Sequence, residues 1–282
     1  MRRFPSLCIA ALALLGLLAS SCAYYNTFYL AKKYYFKATE GLPYPVEKTS
    51  ASSAVNYNKS IDYSKKVLAN YPKSKWVDDA YLLWACGLLG KDDPLQAITM
   101  LQDYALRFPQ SPKKTEALFF LGVAYRQARK HRDAEQALAQ FLQLAPKNDL
   151  APYAYLERAR ALTAAHRDSE AAVAAGQVFE RFPKSKLVSR ARSARADALY
   201  AAGDYAEARA DFNALGLQAR TDEERLGFLL READCLEAAR EHDQELALLK
   251  DALSHETPPP AGSTGGAGAP AGGYQLAARA AP

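Results

Sequence analysis

The sequence has few of the residues from which catalytic and metal centres are built. Only four of its 282 residues are histidines, and they follow no metal-ligand spacing. The segment from Gly87 to Lys91 lacks the four-residue gap of a phosphate-binding loop. No serine, histidine and acid set or pair of carboxylates forms a recognisable catalytic constellation. The sequence therefore predicts a protein that is not an enzyme and holds no metal or cofactor. The histidines are His131, His166, His242 and His255.

A strong excess of positive charge is also missing. The formal charge is +5 and falls to +3 without Arg2 and Arg3, and no dense basic run occurs. A nucleic-acid partner requires a concentrated basic surface. We therefore expect no nucleic acid among the partners.

Long apolar runs are absent except at the start of the chain. Two arginines precede an apolar stretch from Leu7 to Leu18, and three small residues then lead to Cys22. Twelve apolar residues are too few to cross the ~30 Å hydrocarbon layer as a helix. Residues 1–21 are therefore predicted to be a secretory signal peptide.

The position of Cys22 resembles a bacterial lipobox, although Ala19 stands where leucine is preferred. The resemblance implies cleavage before Cys22 and diacylation of this residue, which would attach the protein to a membrane through its N-terminal lipid. The alternative is an ordinary signal peptide with an incidental cysteine. The next residue is Ala23, not the aspartate associated with inner-membrane retention in many Gram-negative bacteria. This implies the outer membrane, with the body of the protein in the periplasm.

Two classes of residue recur every 37 positions. A period shared by independent residue types indicates internal repeats, which stack into an extended array and bind partners through a concave surface. The prolines are Pro72, Pro109, Pro146 and Pro183, and the alanines are Ala97, Ala134, Ala171 and Ala208.

Each repeat is predicted to contain two helices, as in Thr115 to Arg129 and Asp133 to Leu144. The prolines end the second helix of each pair, and small residues allow the paired helices to approach closely. In the first helices these small residues are Ala85, Gly122, Ala159, Ala196 and Ala233. Residues with good N-cap side chains stand where the next helix is predicted to begin after each second helix. They are Ser74, Ser111, Asn148, Ser185 and Asp222.

Leu121-Gly122, Tyr125, Ala134 and Pro146 stand where the tetratricopeptide pattern requires small, aromatic and terminating residues. The chain resembles this superfamily from about Ala54 to Leu253, with a period of 37 instead of 34. The predicted fold is all-α, a right-handed superhelical solenoid of tetratricopeptide-like helix pairs. Cys86 and Cys235 lie in different repeats, which excludes a disulfide between them and predicts two buried thiols.

Four segments are predicted along the chain. Residues 1–21 form the signal peptide, 22–53 the lipidated N-terminus with an aromatic helix and connector, 54–255 the repeat domain, and 256–282 a disordered tail rich in Pro, Gly and Ala. The aromatic helix, about 24–39, has a seam formed by Tyr24, Phe28, Ala31, Tyr35 and Ala38. Tyr25, Tyr29 and Phe36 lie off this seam, either packed on a neighbour, which we favour, or near lipid headgroups.

The repeat register places a set of side chains on the concave face. Interleaved arginines and aromatic residues suit an extended peptide with an aromatic side chain and a carboxylate. The alternative is a solvated helix face with the aromatic rings in the core. The predicted partner-binding groove consists of Phe119, Val123, Arg126, Tyr153, Arg160, Arg190 and Tyr200.

A lipidated cysteine, an aromatic helix and about five such repeats resemble the BamD family of outer-membrane assembly lipoproteins. The resemblance implies a periplasmic scaffold that acts with a barrel-forming assembly protein and recognises the C-terminal segments of nascent β-barrels. An alternative is a repeat scaffold for another envelope machine, in cell-wall synthesis, pilus assembly or secretion. A lipid-anchored hydrolase is the third possibility, but no catalytic residues support it.

Overall fold

A computed structural model describes residues 26–42, 44 and 50–255 of the chain. Within these residues it contains twelve α-helices and no β-strand, so the all-α prediction is confirmed. None of the described helices has the length and apolar character needed to cross a membrane. The predicted signal peptide, the lipidation site Cys22 and the predicted tail at 256–282 lie outside the described residues.

The helices follow one another through short connections. Their bounds are α1, 26–39; α2, Ala51–Asn70; α3, Val77–Gly90; α4, Pro94–Arg107; α5, Lys114–Gln127; α6, His131–Leu144; α7, Ala151–Ala164; α8, Asp168–Arg181; α9, Val188–Ala202; α10, Tyr205–Gly216; α11, Asp222–Ala238; and α12, His242–His255.

The chain divides into two compact units, and the boundary lies inside α7. The first unit ends at Ala154 and the second begins at Tyr155. In the first unit α2 packs on α3, α3 on α4, α4 on α5, and α5 on α6. In the second unit α8 packs on α9, α9 on α10, α10 on α11, and α11 on α12. Each unit is thus built by packing helices that are neighbours in sequence, as expected for a repeat protein.

The recurring prolines lie between helices, as predicted. The residue before each proline makes the last backbone hydrogen bond of the preceding helix; Tyr71, for example, donates to the carbonyl of Val67 at 2.9 Å. The proline that follows has no N–H with which to continue this pattern. The helix therefore ends at the same place in each repeat.

The predicted caps accept hydrogen bonds just before the next helix, but each stands two residues ahead of the N-cap. Ser74 Oγ accepts from the backbone N–H of Trp76 at 3.1 Å, and Asn148 Oδ1 accepts from that of Leu150 at 2.9 Å. The assignment of Asp222 as a cap is wrong. Thr221 is the N-cap of α11, and its hydroxyl accepts from the N–H of Glu224 at 3.1 Å.

The turn inside each helix pair repeats at the same interval as the prolines. One residue in each turn has a positive φ, and the next residue donates its N–H to a carbonyl five positions back, which is a Schellman closure. Five turns of this kind occur in the described residues, and Gly203, with φ of 90°, is the one glycine among their positive-φ residues. The five are Asp92, Arg129, His166, Gly203 and Arg240.

Small residues permit close contact between the paired helices. All four period-related alanines of the second helices are completely buried. Gly122 of α5 lies directly over Leu138 of α6, so a Cβ at this position would be 2.6 Å from the Cγ of Leu138. The distance between α5 and α6 therefore depends on the absence of a side chain at Gly122.

The N-terminal helix α1 uses one face for packing. Phe28 packs with Val67 and Ala80, and the hydroxyl of Ser60 donates to the carbonyl of Ala31 at 2.9 Å. The predicted seam is thus buried in its described part. Tyr29 and Phe36 are 50% and 54% exposed, so they lie outside the buried seam, and their packing on a neighbouring element stays a prediction.

The Gly122→Ala substitution tests the close contact between α5 and α6. We expect the free energy of unfolding to fall by about 1–3 kcal/mol because the added methyl group overlaps Leu138. Gly227→Ala in α11 is the matched control, since its Cβ would have no neighbour within 4 Å. This control is expected to gain about 0.5–1 kcal/mol from helix propensity. Urea denaturation followed by circular dichroism measures both, and equal effects would contradict the interpretation.

Candidate functional site

The seven predicted groove residues lie on the first helices of three successive pairs and divide between the two units. Those of the first unit are Phe119, Val123 and Arg126 on α5, with Tyr153 on α7. Those of the second unit are Arg160 on α7, with Arg190 and Tyr200 on α9. The two groups are described separately below.

In the first unit, two of the predicted residues belong to the core. Phe119 and Val123 are completely buried. The ring of Phe119 has its centroid 5.3 Å from that of Phe120 and 5.5 Å from that of Phe141. The side of α5 that carries Phe119 and Val123 is thus covered, and these two residues offer no open contact surface. Arg126 and Tyr153 remain partly exposed.

The connector after α1 covers this side of α5. Tyr44 has only 1% of its surface exposed, and its ring meets two predicted groove residues edge to face. The centroid distances are 5.1 Å to Phe119 and 5.4 Å to Tyr153. Our sequence analysis missed Tyr44. The available signal was an aromatic residue held between Pro43 and Pro45, which restrict the backbone on both sides.

Tyr44 shows that this side of the first unit binds an aromatic ring. Tyr44 places one aromatic ring edge to face against both Phe119 and Tyr153, and such contacts stabilise the arrangement beyond simple burial. The ring comes from the same chain. Another aromatic side chain can occupy the same place only after Tyr44 has left.

Substitution of Tyr44 tests whether its ring contacts hold the connector against the first unit. Tyr44→Ala is expected to reduce the free energy of unfolding of the first unit by about 3 kcal/mol, the usual cost of removing a buried aromatic side chain. Tyr44→Phe retains both ring contacts and is expected to lose no more than about 1 kcal/mol. Urea denaturation measures the stability, and limited proteolysis measures release of the connector. Equal effects of the two variants would show that the ring contacts are unimportant.

In the second unit, Arg160 is paired with a buried acid. Its Nη1 atom donates to Oε1 of Glu157 at 2.6 Å. The Glu157 side chain has no exposed surface, whereas that of Arg160 is 28% exposed. A buried carboxylate without a cation is strongly unfavourable. Arg160 therefore stabilises the buried carboxylate of Glu157, and only the exposed part of its guanidinium can contact a partner.

Tyr200 is covered in a similar way by an arginine from α11. The guanidinium carbon of Arg231 lies 5.1 Å from the ring centroid of Tyr200 and 4.8 Å from that of Phe212. The same guanidinium donates to Asp197 at 2.9 Å. Arg231 was not predicted because its partners lie on earlier helices of the second unit. Arg190 remains partly exposed.

Two more arginines form the largest ionic cluster of the second unit. Arg192 and Arg195 donate to the buried carboxylate of Asp211 at 2.6 to 2.9 Å. Both guanidinium groups also lie 4.8 Å from the ring centroid of Phe179. This cluster joins α8, α9 and α10, and its hydrogen bonds satisfy an acid that is almost fully buried. Its arrangement is structural.

The two described cysteines are buried, free thiols, as predicted. Burial raises the pKa of Cys235 to about 11 and raises the pKa of Cys86 well above its usual value. Both thiols are thus protonated at neutral pH and are poor nucleophiles. Among the described residues, no group of three or more His, Cys, Asp or Glu side chains could hold a metal ion.

The pair formed by Arg160 and Glu157 can be tested against an exposed pair of the same kind. Arg160→Met leaves the buried carboxylate of Glu157 without its guanidinium, and we expect a loss of about 3 kcal/mol in the free energy of unfolding. Arg167→Met is the matched control, because Arg167 and Glu170 also stand three residues apart but are 42% and 54% exposed. The control is expected to leave stability nearly unchanged. Chemical denaturation of both variants provides the measurement, and a small effect of Arg160→Met would contradict the structural role.

Comparison with known proteins finds a family model that matches a little under half of the chain. Residues 44–175 match the family model described as YfiO, outer membrane lipoprotein, a BamD-like family. The matched region extends from Tyr44 through most of α8. The predicted resemblance to the BamD family is confirmed over these residues. No curated protein matches the chain at a significant level.

Solved structures show the same fold at low sequence identity. A tetratricopeptide repeat protein from Parabacteroides merdae has a TM-score of 0.52 and 13% identity, with 81% of each chain covered. BtubC from P. vanneervenii has a TM-score of 0.53 and 13% identity, covering 75% of this chain and 95% of its own. A protein from Podosopora anserina with nearly identical tetratricopeptide-like repeats, described as a kinesin light chain, has a TM-score of 0.52 and 17% identity, with 64% and 96% covered. These similarities show the tetratricopeptide fold and carry no information on partners.

Proposed function

We propose that this protein is a periplasmic scaffold, anchored to the outer membrane by lipid, that binds other proteins in the assembly and insertion of outer-membrane β-barrels. The observation that carries the proposal is the match of residues 44–175 to an outer-membrane lipoprotein family. The fold supports it, since arrays of helix pairs bind other polypeptides through extended surfaces. The protein acts by positioning its partners, without a chemical step.

The anchor in this proposal is a diacylated Cys22. The apolar stretch from Leu7 to Leu18 and the small residues before Cys22 support cleavage at this point. Two acyl chains on one residue hold a protein stably on a membrane surface without a spanning helix. Cys22 stands four residues before the first described residue of α1.

The proposed contact residues are those predicted residues that keep exposed surface, taken unit by unit: Arg126 and Tyr153 in the first unit, and Arg160, Arg190 and Tyr200 in the second. Arg126 and Tyr153 lie in the unit in which Tyr44 is inserted against Phe119. A nascent barrel segment with a terminal aromatic residue and carboxylate would use the same ring contacts after displacing Tyr44. The guanidinium of Arg126 would meet the carboxylate.

A second candidate is a scaffold for another envelope machine, in cell-wall synthesis, pilus assembly or secretion. The limited extent of the family match supports this second candidate, because α9 to α12 lie entirely outside the matched residues. Helix pairs beyond the family region provide surface for a different partner. The two candidates share the anchor and the fold and differ only in the protein that is bound.

Crosslinked co-purification from membranes of the native organism tests the proposal. The lipidated protein is expected to capture a large outer-membrane barrel protein that carries periplasmic domains. Cys22→Ala is expected to move the protein out of the membrane fraction, because the acyl chains are lost. Capture of a different envelope complex would favour the second candidate. Retention of Cys22→Ala in the outer membrane after a high-salt wash, which removes proteins held only by charge, would contradict anchoring through this residue.

A charge reversal in the same assay tests the binding surface. Arg126→Glu is expected to reduce capture about tenfold or more, since a carboxylate would then face a carboxylate. Arg132→Glu is the matched control, because Arg132 is an exposed arginine of α6 in the same unit. Equal capture by the two variants would remove Arg126 from the proposed surface.

A further inference from the structure

The outer face of α1 combines exposed aromatic rings with lysines. Tyr29 and Phe36 are 50% and 54% exposed. They stand seven residues apart, so at 100° per residue they lie on the same side of the helix. Lys33 lies beside them on one side and Lys32 on the other, and both lysines are exposed. The seam with Phe28 and Tyr35 lies about 100° away around the helix and is buried.

Positive charge is concentrated in this part of the chain. Residues 26–77 contain nine lysines, three acidic residues and no arginine, a formal charge of +6. Residues 78–282 contain 25 basic and 28 acidic residues, a formal charge of −3. The mildly positive net charge is therefore the sum of a strongly basic N-terminal part and an acidic remainder.

Several lysines of α2 are held on aromatic rings beside α1. The rings of Tyr34 on α1 and Tyr63 on α2 are stacked, with centroids 5.7 Å apart. Lys59 Nζ lies 5.1 Å from the centroid of Tyr34, and Lys66 Nζ lies 4.9 Å from that of Tyr63. Tyr34 lies about 140–160° around α1 from Tyr29 and Phe36, so this second group of lysines and rings stands on a different side of the helix.

We infer that the outer face of α1, formed by Tyr29, Lys32, Lys33, Phe36 and Lys37, binds an anionic phospholipid surface directly. Tyrosine and phenylalanine rings insert at the level of the headgroups, and lysine side chains extend their apolar stems along the rings while their ammonium groups meet lipid phosphates. The acidic remainder of the chain is repelled by the same surface.

This inference rests on the proposed anchor at Cys22 for its place in the cell. The lipidated residue would stand four positions before the first described residue of α1, so the acyl chains would keep this helix at the membrane surface. A second attachment beside the lipid would restrict the orientation of the body more than the acyl chains alone.

Binding to vesicles tests the inference without the acyl chains. The mature chain carrying Cys22→Ala is mixed with vesicles of phosphatidylcholine containing about 30% phosphatidylglycerol, or with pure phosphatidylcholine. We expect binding only to the anionic vesicles, and weaker binding as salt increases. Equal binding to both vesicle types, or no binding to either, would contradict the inference. Failure here would leave anchoring at Cys22 untouched, since the co-purification assay tests that separately.

Lysine substitutions test whether the binding depends on this face. Lys32→Gln/Lys33→Gln/Lys37→Gln is expected to bind anionic vesicles about 100-fold more weakly, because each lysine near such a surface contributes about a factor of five. Lys114→Gln/Lys130→Gln/Lys147→Gln removes the same charge from exposed lysines elsewhere in the first unit. If this control loses as much binding as the first variant, net charge and not the α1 face is responsible.

A fluorescent label reports contact with lipid independently of these variants. Phe36→Cys in the Cys22→Ala chain can be labelled selectively because Cys86 and Cys235 are buried. An environment-sensitive dye at residue 36 is expected to shift to shorter wavelength on anionic vesicles. The matched control is Leu106→Cys, since Leu106 is 81% exposed in the same unit on α4. A shift of the same size at both positions, or at neither, would overturn the inference.

Discussion

The close approach of paired helices is the constraint on which the rest of the structure depends. At Gly122 the neighbouring Leu138 occupies the space that a Cβ would need, and the four repeated alanines of the second helices have no exposed surface. Helices that approach this closely must keep the same spacing in each pair. Small residues are therefore needed at the same place in each pair, and the 37-residue recurrence of the buried alanines reflects this need.

The ends of the helices are determined by different chemistry at the two kinds of turn. Between pairs, proline ends a helix because it lacks an N–H, and a Ser or Asn side chain starts the next one. Within pairs, a left-handed residue closes the first helix. The first kind depends on side chains and is visible in the sequence. The second depends on the backbone, and four of its five positions hold Asp, Arg or His, so only Gly203 indicated it.

The features that sequence reasoning missed are contacts between distant residues. Tyr44 reaches Phe119 across 75 positions, and no periodic pattern connects a connector residue to a repeat. Phe119 was assigned to the concave face from the helical register, in which an error of one position rotates a side chain by about 100°. The cap of α11 was predicted one position too late, at Asp222, whereas Thr221 is the N-cap. Spacing thus predicts which elements form, but only packing decides which face of an element is covered.

Arginine and lysine have different tasks in this protein, and the difference bears on function. In the second unit, Arg192, Arg195 and Arg231 pair with acids and with aromatic rings, where a planar guanidinium can satisfy several acceptors at once. In residues 26–77 all the cations are lysines, and those of α1 are exposed. A compact ammonium on a flexible stem suits a fluid array of lipid phosphates, whereas a fixed guanidinium suits a folded core. The arginines hence stabilise the repeats, and the lysines provide the charge that faces outward at the end of the chain nearest the predicted lipid.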